Sequence, residues 1–434
     1  MGGYQKLTFG FAQADITPLG PVETVGFGRA DEMSRGILHT LSAQVAVWQL
    51  AEERCCIVAI DHIGFCQKNA NTLRDIIASA LSVPREKVML CFSHTHAAPS
   101  DSAQPEYFRF VCESVKHCVY DALQTMGPVM AAWGNAYADI GVNRRMGNTA
   151  LDKRIGILKI CDADTGKPRL LLLRLTAHAN VLKADNYLIS PDYFGAVRDV
   201  LTQAYGCPVM ATQGASGNVA PKYFQSALTP PDAADVRFIR SDMALDDMAQ
   251  AVLRKTAPVI ASLRPAEVSR LAMYSRKIRL VSDVPPYDRA LHVAEEAQKL
   301  CGINGSGWLA EVRRLLHDGI REQAETVEVQ YFSLGSGCLC GVANEIMCEF
   351  ALRTSAQLKN DLFYFGGYTN GCTGYFPTEE EFDKGGYEVY WSMLIYYIYH
   401  GRVFPLRRDS ASELIRFAAE NAPDFSRSIS SAEA

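Results

Sequence analysis

The chain alternates between short apolar runs and longer amphipathic segments. Uninterrupted apolar runs of this length are typical of strands that are covered on both faces. The clearest predicted strands are 55–60, 87–92, 169–177, 208–212, 329–335 and 362–366. Apolar spacings of three and four predict helices over 69–81 and 193–205. The alternation predicts a layered α/β/α fold with a mixed, largely parallel sheet and an active site at the C-terminal ends of the strands.

One segment departs from this alternation. Residues 286–325 have the pattern of two amphipathic helices that are interrupted by "CGINGSG". We interpret this segment as a helical hairpin that leaves the sheet, either as a lid or as the contact surface of a homo-oligomer. Residues 1–420 are expected to form a single catalytic domain, and the polar stretch 421–434 is expected to be a frayed tail.

Composition narrows the classes of partner. The chain has 434 residues, is 48% hydrophobic and carries a net charge of −5 with no long run of one sign. This balance argues against nucleic acid and against a stable membrane association, so a small-molecule substrate is expected. The 13 cysteines are scattered through apolar runs without CxxC spacing, and no targeting signal is visible at the N-terminus. We therefore expect a cytoplasmic protein without a cysteine metal site.

Polar residues that suit chemistry follow most of the predicted strands. The positions are Asp61, His94, His96, His178, the glycine-rich loop 212–221, Glu345, Tyr368 and Tyr375. Each has an ordinary structural alternative when it is taken alone. A histidine after a strand is often a hydrogen-bonded loop residue, and Glu345 also suits the first turn of a helix capped by Asn344.

Taken together, these residues favour a metal site. Alternate residues of an extended segment point to one side, so His94 and His96 can address one centre. Two histidines and a carboxylate with an open fourth position match the ligands of a catalytic zinc ion. Such an ion acidifies its bound water and polarises a carbonyl group. The pattern therefore predicts a zinc hydrolase.

Seven blocks of the sequence resemble the neutral/alkaline non-lysosomal ceramidase family. The blocks, in order, are "ADITPLG", "SHTHAAP", "NRRM", "TAHANVLKADNYLISPDYFG", "TQGASGNVAP", "ANEIMCEF" and "GYFPTEEEFDKGGYE". The resemblance extends from Gly10 to about Pro405 and corresponds to the catalytic N-terminal domain of that family. It implies an amide hydrolase that depends on Zn²⁺.

The resemblance also implies roles for individual residues. The implied zinc ligands are His94, His178, Glu345 and Tyr375, with Tyr375 preferred over Tyr368. The implied catalytic residues are His96, which assists the chemistry, and Tyr387 and Arg144, which lie near the substrate carbonyl. We further expect Asp192 to support His178 from behind the metal.

The glycine-rich loop departs from the family pattern. Ala220 stands where ceramidases have a serine that is essential for activity, and Asn218 stands where they have an aspartate. Ser216 is expected to be a turn residue and not a substitute for that serine. We also expect a protein without the β-sandwich domain that follows the catalytic domain in this family and without a secretory signal. These departures favour a bacterial ceramidase-like paralogue that acts on a substrate other than ceramide.

The functional prediction is a zinc-dependent amidohydrolase that cleaves a linear N-acyl bond with metal-activated water. Two alternatives stay open at this point. The same site could cleave an ester or lactone or remove an acyl group from an amino sugar. The protein could also be a zinc-bearing binding protein without catalytic activity. The sequence does not decide whether a second metal is present.

Overall fold

The structure is a computed structural model that describes residues 6–223 and 241–425. The strands in these ranges are β1 (Thr8–Asp15), β2 (Ser42–Leu50), β3 (Glu53–Ile60), β4 (Val88–Phe92), β5 (Gly127–Tyr137), β6 (Gly141–Asn143), β7 (Arg154–Asp162), β8 (Pro168–Leu175), β9 (Val209–Gln213), β10 (Val219–Pro221), β11 (Leu271–Asp283), β12 (Glu322–Leu334), β13 (Gly337–Gly341), β14 (Glu345–Ile346), β15 (Phe363–Gly366) and β16 (Tyr375–Phe376). The helices are α1 (Gln67–Leu81), α2 (Pro105–Gln124), α3 (Tyr193–Tyr205), α4 (Asp242–Ser262), α5 (Tyr287–Cys301), α6 (Ser306–His317), α7 (Cys348–Leu358), α8 (Met393–His400) and α9 (Ser410–Glu420).

The large sheet has eight strands in the order β4-β3-β2-β1-β5-β7-β8-β9. This arrangement confirms the predicted α/β class and the mixed character of the sheet. The expectation that the sheet is largely parallel is wrong, because only β3–β4 and β8–β9 are parallel. The other five pairings are antiparallel. The apolar runs that suggested parallel strands reflect burial on both faces, which antiparallel strands also show when both faces are covered.

A second sheet covers one face of the large sheet. Its order is β11-β12-β13-β15, and only the β13–β15 pair is parallel. Helices α1 to α4 cover one face of the large sheet, and the second sheet packs on the other face. Helices α7 and α9 cover the outer face of the second sheet. The described residues therefore form four layers, α/β/β/α, in place of the three that the sequence suggested.

The large sheet consists of two halves that are joined by a short pairing. Strands β1 and β5 pair only at Thr8 with Pro128 and at Phe9 with Gly127. The halves meet again near β9, where the Gln44 side chain donates to the Val209 carbonyl at 2.9 Å. Gln213 donates to the carbonyl of Ser93, just after β4, at 3.1 Å. These contacts bring the end of β4 beside the ends of β8 and β9.

The parallel pairs end at the same place. His94 follows β4, His178 follows β8, Glu345 lies shortly after β13 and Tyr368 shortly after β15. The rule that ligands bind beyond the C-terminal ends of strands therefore holds here for the parallel pairs alone.

Helices α5 and α6 lie in the segment where the helical hairpin was expected, but residues 322–325 belong to strand β12. The hairpin buries Trp308, whose indole nitrogen donates to the Val403 carbonyl at 2.7 Å. Of the predicted tail, residues 421–425 are described and Asn421 accepts a hydrogen bond from Tyr274, while 426–434 lie outside the described residues. In the described part of the chain, the helices are all too short or too polar to cross a membrane.

Candidate metal centre

His94 is presented by a sharp turn after the fully buried strand β4. Its backbone has φ 62°, in the left-handed region, and its amide donates to the His62 carbonyl at 2.9 Å. The imidazole is 1% exposed, and its Nδ1 lies 2.6 Å from the Ile63 carbonyl oxygen. A carbonyl can only accept, so Nδ1 carries a proton, and Nε2 is the nitrogen that bears the lone pair in the neutral imidazole.

The same arrangement recurs at two more histidines. His178 Nδ1 lies 2.7 Å from the Ser216 carbonyl, and His96 Nδ1 lies 3.1 Å from the Gly26 carbonyl. One ring nitrogen from each of these three histidines could hold a metal ion, and these atoms lie within 4.8 Å of one another. His96 Nε2 is buried and has no hydrogen-bond partner among the described residues. Backbone carbonyls on Nδ1 are the usual means of fixing histidine tautomers for metal binding.

Glu345 joins the histidines at β14. Its Oε2 atom lies 3.2 Å from His94 Nε2 and 3.3 Å from His178 Nε2. The Tyr375 hydroxyl, on the paired strand β16, lies 3.5 Å from His178 Nε2. Ligands about 2.0–2.1 Å from a tetrahedral metal ion are about 3.3–3.4 Å apart. The spacing of His94, His178, Glu345 and Tyr375 therefore fits a single metal ion.

The charges also suit a metal ion. Burial lowers the pKa of His178 to about 3, so its imidazole is neutral at pH 7. Burial raises the pKa of Glu345, but the His94 and His178 imidazoles more than offset that effect and hold its pKa well below the usual value. Burial and the neighbouring His94 lower the pKa of His96 well below its usual range. The centre thus places the neutral imidazoles of His178 and His96 beside one buried carboxylate.

Arg144 lies on the other side of Tyr375. Its Nη2 atom donates to the Tyr375 hydroxyl at 2.9 Å and to the Gly217 carbonyl at 2.8 Å. Its Nε atom forms an ion pair with Glu388 Oε1 at 2.9 Å but makes no hydrogen bond, and its Nη1 atom also has no hydrogen-bond partner in the described ranges. The Tyr387 ring lies 5.7 Å from the Tyr375 ring, edge to face. The structure therefore brings the seven predicted site residues around one centre.

Tyr368 and Ser216 form a layer behind the carboxylate. Ser216 Oγ donates to the Tyr368 hydroxyl at 3.0 Å, which in turn lies 3.4 Å from Glu345 Oε2. The Tyr368 ring also packs on His94 at 4.3 Å. Ser216 is fully buried and uses its carbonyl to fix His178. Ser216 thus orients His178, and Tyr368 packs on His94 and contacts Glu345.

Tyr396 was not predicted from the sequence. This residue lies on α8, and its hydroxyl donates to Glu345 Oε1 at 2.9 Å. The tyrosines in "YYIYH" are the only signal, and they equally suit a helix that packs on the hairpin.

The expectation that Asp192 supports His178 directly is wrong. Asp192 accepts hydrogen bonds from the Val181, Leu182 and Tyr193 amides, so it holds the loop after His178 and the start of α3. The imidazole itself is held by the Ser216 carbonyl.

Comparisons with known proteins bear on the fold. No protein-family model and no curated protein sequence matches the chain. The crystal structure of neutral ceramidase from Pseudomonas aeruginosa matches 98% of this chain and 77% of that chain, with a TM-score of 0.70 and 17% identity. A ceramidase complexed with C2 matches 97% of this chain and 78% of its own, with a TM-score of 0.71 and 16% identity.

The chain has a ceramidase-like fold. The resemblance that the sequence blocks suggested is therefore confirmed at the level of the fold. At 16–17% identity, the likeness does not carry residue roles or substrate.

The glycine-rich loop departs from the ceramidase pattern at Ala220 and Asn218. Both residues are buried. Ala220 is 1% exposed on β10, where it pairs with Val142 of β6. Asn218 is fully buried, donates to Glu349 Oε2 at 2.9 Å and accepts from the Cys348 amide at the start of α7. Asn218 is thus a structural residue that ties the loop to a helix.

Proposed function

We propose that this protein is a zinc-dependent hydrolase that cleaves an amide bond of a small N-acyl substrate. One observation carries the proposal. The Nε2 atoms of His94 and His178 both lie 3.2–3.3 Å from one oxygen of a fully buried glutamate, with each Nδ1 fixed by a backbone carbonyl. Such an arrangement would leave costly unsatisfied lone pairs in the interior unless a cation bound them.

His94, His178, Glu345 and Tyr375 would hold the ion. A zinc ion bound there would supply Lewis acidity, which lowers the pKa of water and polarises a carbonyl group. The protein supplies the negative charge beside the ion and the hydrogen bonds that orient it. Glu345 provides the negative charge, and Tyr396 and Tyr368 keep its two oxygens oriented through their hydroxyl groups.

His96 is proposed as the general base and acid. Its imidazole is neutral, its Nε2 lone pair is free, and its ring lies 5.0 Å from the ring of His94. It can therefore accept a proton from the attacking water and return it to the departing amine. The Nη1 atom of Arg144 and the hydroxyl of Tyr387 would donate hydrogen bonds to the carbonyl oxygen as it gains negative charge.

The substrate is proposed to differ from ceramide. Ala220 provides no hydroxyl group at the position of the family's essential serine, so a contact that ceramidases require is missing. An ester, a lactone or an N-acylated amino sugar would use the same centre. The same alanine favours one further candidate, a zinc-bearing binding protein without catalysis.

A substrate panel with a matched variant tests the proposal. Zinc-loaded wild type and His96→Ala would be assayed against short N-acyl amides, esters, lactones and N-acyl amino sugars. We expect wild type to hydrolyse at least one N-acyl substrate, and His96→Ala to lose about 100-fold or more in kcat. Hydrolysis of esters alone would move the assignment to an esterase. Zinc binding with no hydrolysis of any substrate would support the binding protein.

A further inference from the structure

A buried network of ion pairs lies behind Arg144. Its members are Arg144, Arg145, Glu381 and Glu388, and their side chains are at most 14% exposed. The network joins the loop after β6 to the segment around the π-helical turn Tyr387–Trp391. Single-turn π-helices occur frequently at functional sites. No residue of the proposed mechanism except Arg144 belongs to this network.

Glu388 is the member that contacts both arginines. Its Oε1 atom lies 2.9 Å from Arg144 Nε, and its Oε2 atom lies 2.6 Å from Arg145 Nη1. Glu388 directly follows Tyr387, and Gly386 before it has φ 85°. A Cβ atom on Gly386 would lie 3.2 Å from Arg145 Nη1, so this approach of the turn suits glycine. The backbone therefore fixes Tyr387 and the Glu388 carboxylate together.

One ion pair and two hydrogen bonds surround the Arg144 guanidinium. The Glu388 carboxylate lies 2.9 Å from Nε as an ion pair without a hydrogen bond, while the Gly217 carbonyl and the Tyr375 hydroxyl accept hydrogen bonds from Nη2. Because the guanidinium is planar, rotation about the Nη2 contacts would carry Nε away from the Glu388 charge, so the ion pair opposes a change in the direction of Nη1. Without Glu388, the group would keep only the contacts of Nη2 and could turn about them.

We infer that Glu388 is a positioning residue: its carboxylate orients Arg144 so that Nη2 holds Tyr375 while Nη1 faces the substrate oxygen. The inference rests on the proposed function, because Nη1 has a task only if a carbonyl oxygen gains charge beside it. It extends that function by assigning a role to a residue that touches neither the ligating side chains nor the substrate.

Glu381 provides a matched control. Its carboxylate is also buried in the network, where it contacts Arg145 Nε at 2.5 Å and Lys384 Nζ at 2.8 Å. It also accepts from Asn148. It makes no ion pair with Arg144 among the described residues. Neutralising Glu381 thus removes an equally buried carboxylate from the same network and leaves the three contacts of Arg144 in place.

The test compares Glu388→Gln with Glu381→Gln in the zinc-loaded enzyme. We expect Glu388→Gln to lower kcat by about 10- to 100-fold with KM changed less than about threefold, as for the loss of a residue that orients a catalytic group. Glu381→Gln should lower the melting temperature as much or more, and leave kcat within about threefold. Equal losses of kcat in the two variants, or a kcat for Glu388→Gln within threefold of wild type, would overturn the inference.

A double-mutant cycle tests whether Glu388 acts through Arg144. If it does, adding Glu388→Gln to the Arg144→Gln variant should lower kcat by less than about threefold further. If the two residues act independently, the losses of kcat in the single variants should multiply in the double variant. If the two losses of kcat multiply in full, Glu388 does not act through Arg144. Should Glu388→Gln fail to fold, Glu388→Asp keeps the charge but shortens the side chain. It should still lose about tenfold in kcat, and unchanged activity would contradict the inference.

The metal dissociation constant separates this inference from the proposed function. If wild type hydrolyses nothing, the proposed function fails, but Arg144 still orients Tyr375 beside the metal. Chelator competition should then give zinc binding that is about tenfold weaker in Glu388→Gln and unchanged in Glu381→Gln. The same zinc affinity in both variants would overturn the positioning role on its own.

Discussion

Replacing Asn218 with aspartate introduces the residue that the sequence resemblance assigns to ceramidases in this loop, and we expect it to destabilise this protein. Asn218 Nδ2 donates to Glu349 Oε2 at 2.9 Å, and both side chains are buried. Asn218→Asp would replace that hydrogen bond with two carboxylates in contact. At an effective dielectric constant near 20, two unit charges at this spacing repel by about 6 kcal/mol, which is an upper limit. Rotation and proton uptake relieve part of the repulsion, so we expect a loss of about 2–4 kcal/mol at pH 8.

Urea unfolding followed by tryptophan fluorescence measures this loss. Protonation of either carboxyl group relieves the repulsion, so the loss at pH 5 should be smaller than at pH 8. The control combines Asn218→Asp with Glu349→Gln. The new amide group can then donate to the introduced aspartate, while its oxygen still accepts from Asn148, which in wild type donates to Glu349 at 2.7 Å. This double variant should recover most of the stability. A single variant as stable as wild type at pH 8, or a double variant no better than the single, would refute the reasoning.

Three further predictions concern the centre. In the metal-free protein, the pKa of His178 is about 3 in the folded state and about 6.5 when unfolded, so unfolding takes up a proton and stability falls as pH drops below 6.5. The loss from His178 alone between pH 6.5 and pH 5 should be about 2 kcal/mol in urea unfolding, and His178→Gln should flatten the profile. Tyr396→Phe removes a hydrogen bond to Glu345, so zinc binding in chelator competition should weaken by about tenfold while the fold, followed by circular dichroism, is kept. Ala220→Ser should gain activity on short N-acyl substrates if the loop still occupies the ceramidase position, and unchanged activity on every substrate would show that the pocket differs.

The sequence correctly indicated which strand ends are followed by residues of the centre. His94, His178 and Glu345 were found because each follows an apolar run, and the structure places those ends together. The antiparallel pairing of the large sheet was missed for a physical reason. A strand covered on both faces has the same apolar pattern whether its neighbour runs parallel or antiparallel, so the runs could not reveal the second sheet.

The contacts that orient the site were harder to predict. The carbonyls of Ile63, Gly26 and Ser216 fix the three imidazoles, but any residue type supplies a backbone carbonyl. Tyr396 and Glu388 depend on long-range packing of α8 and of the π-helical turn, which no local pattern specifies.

The central claim is that His94, His178, Glu345 and Tyr375 hold one zinc ion. Elemental analysis of purified wild type and His178→Ala after equilibration in the same zinc buffer tests it most directly. We predict about one zinc per chain in wild type and less than about a tenth in His178→Ala. Equal zinc in the two proteins, or none in wild type, would contradict the claim.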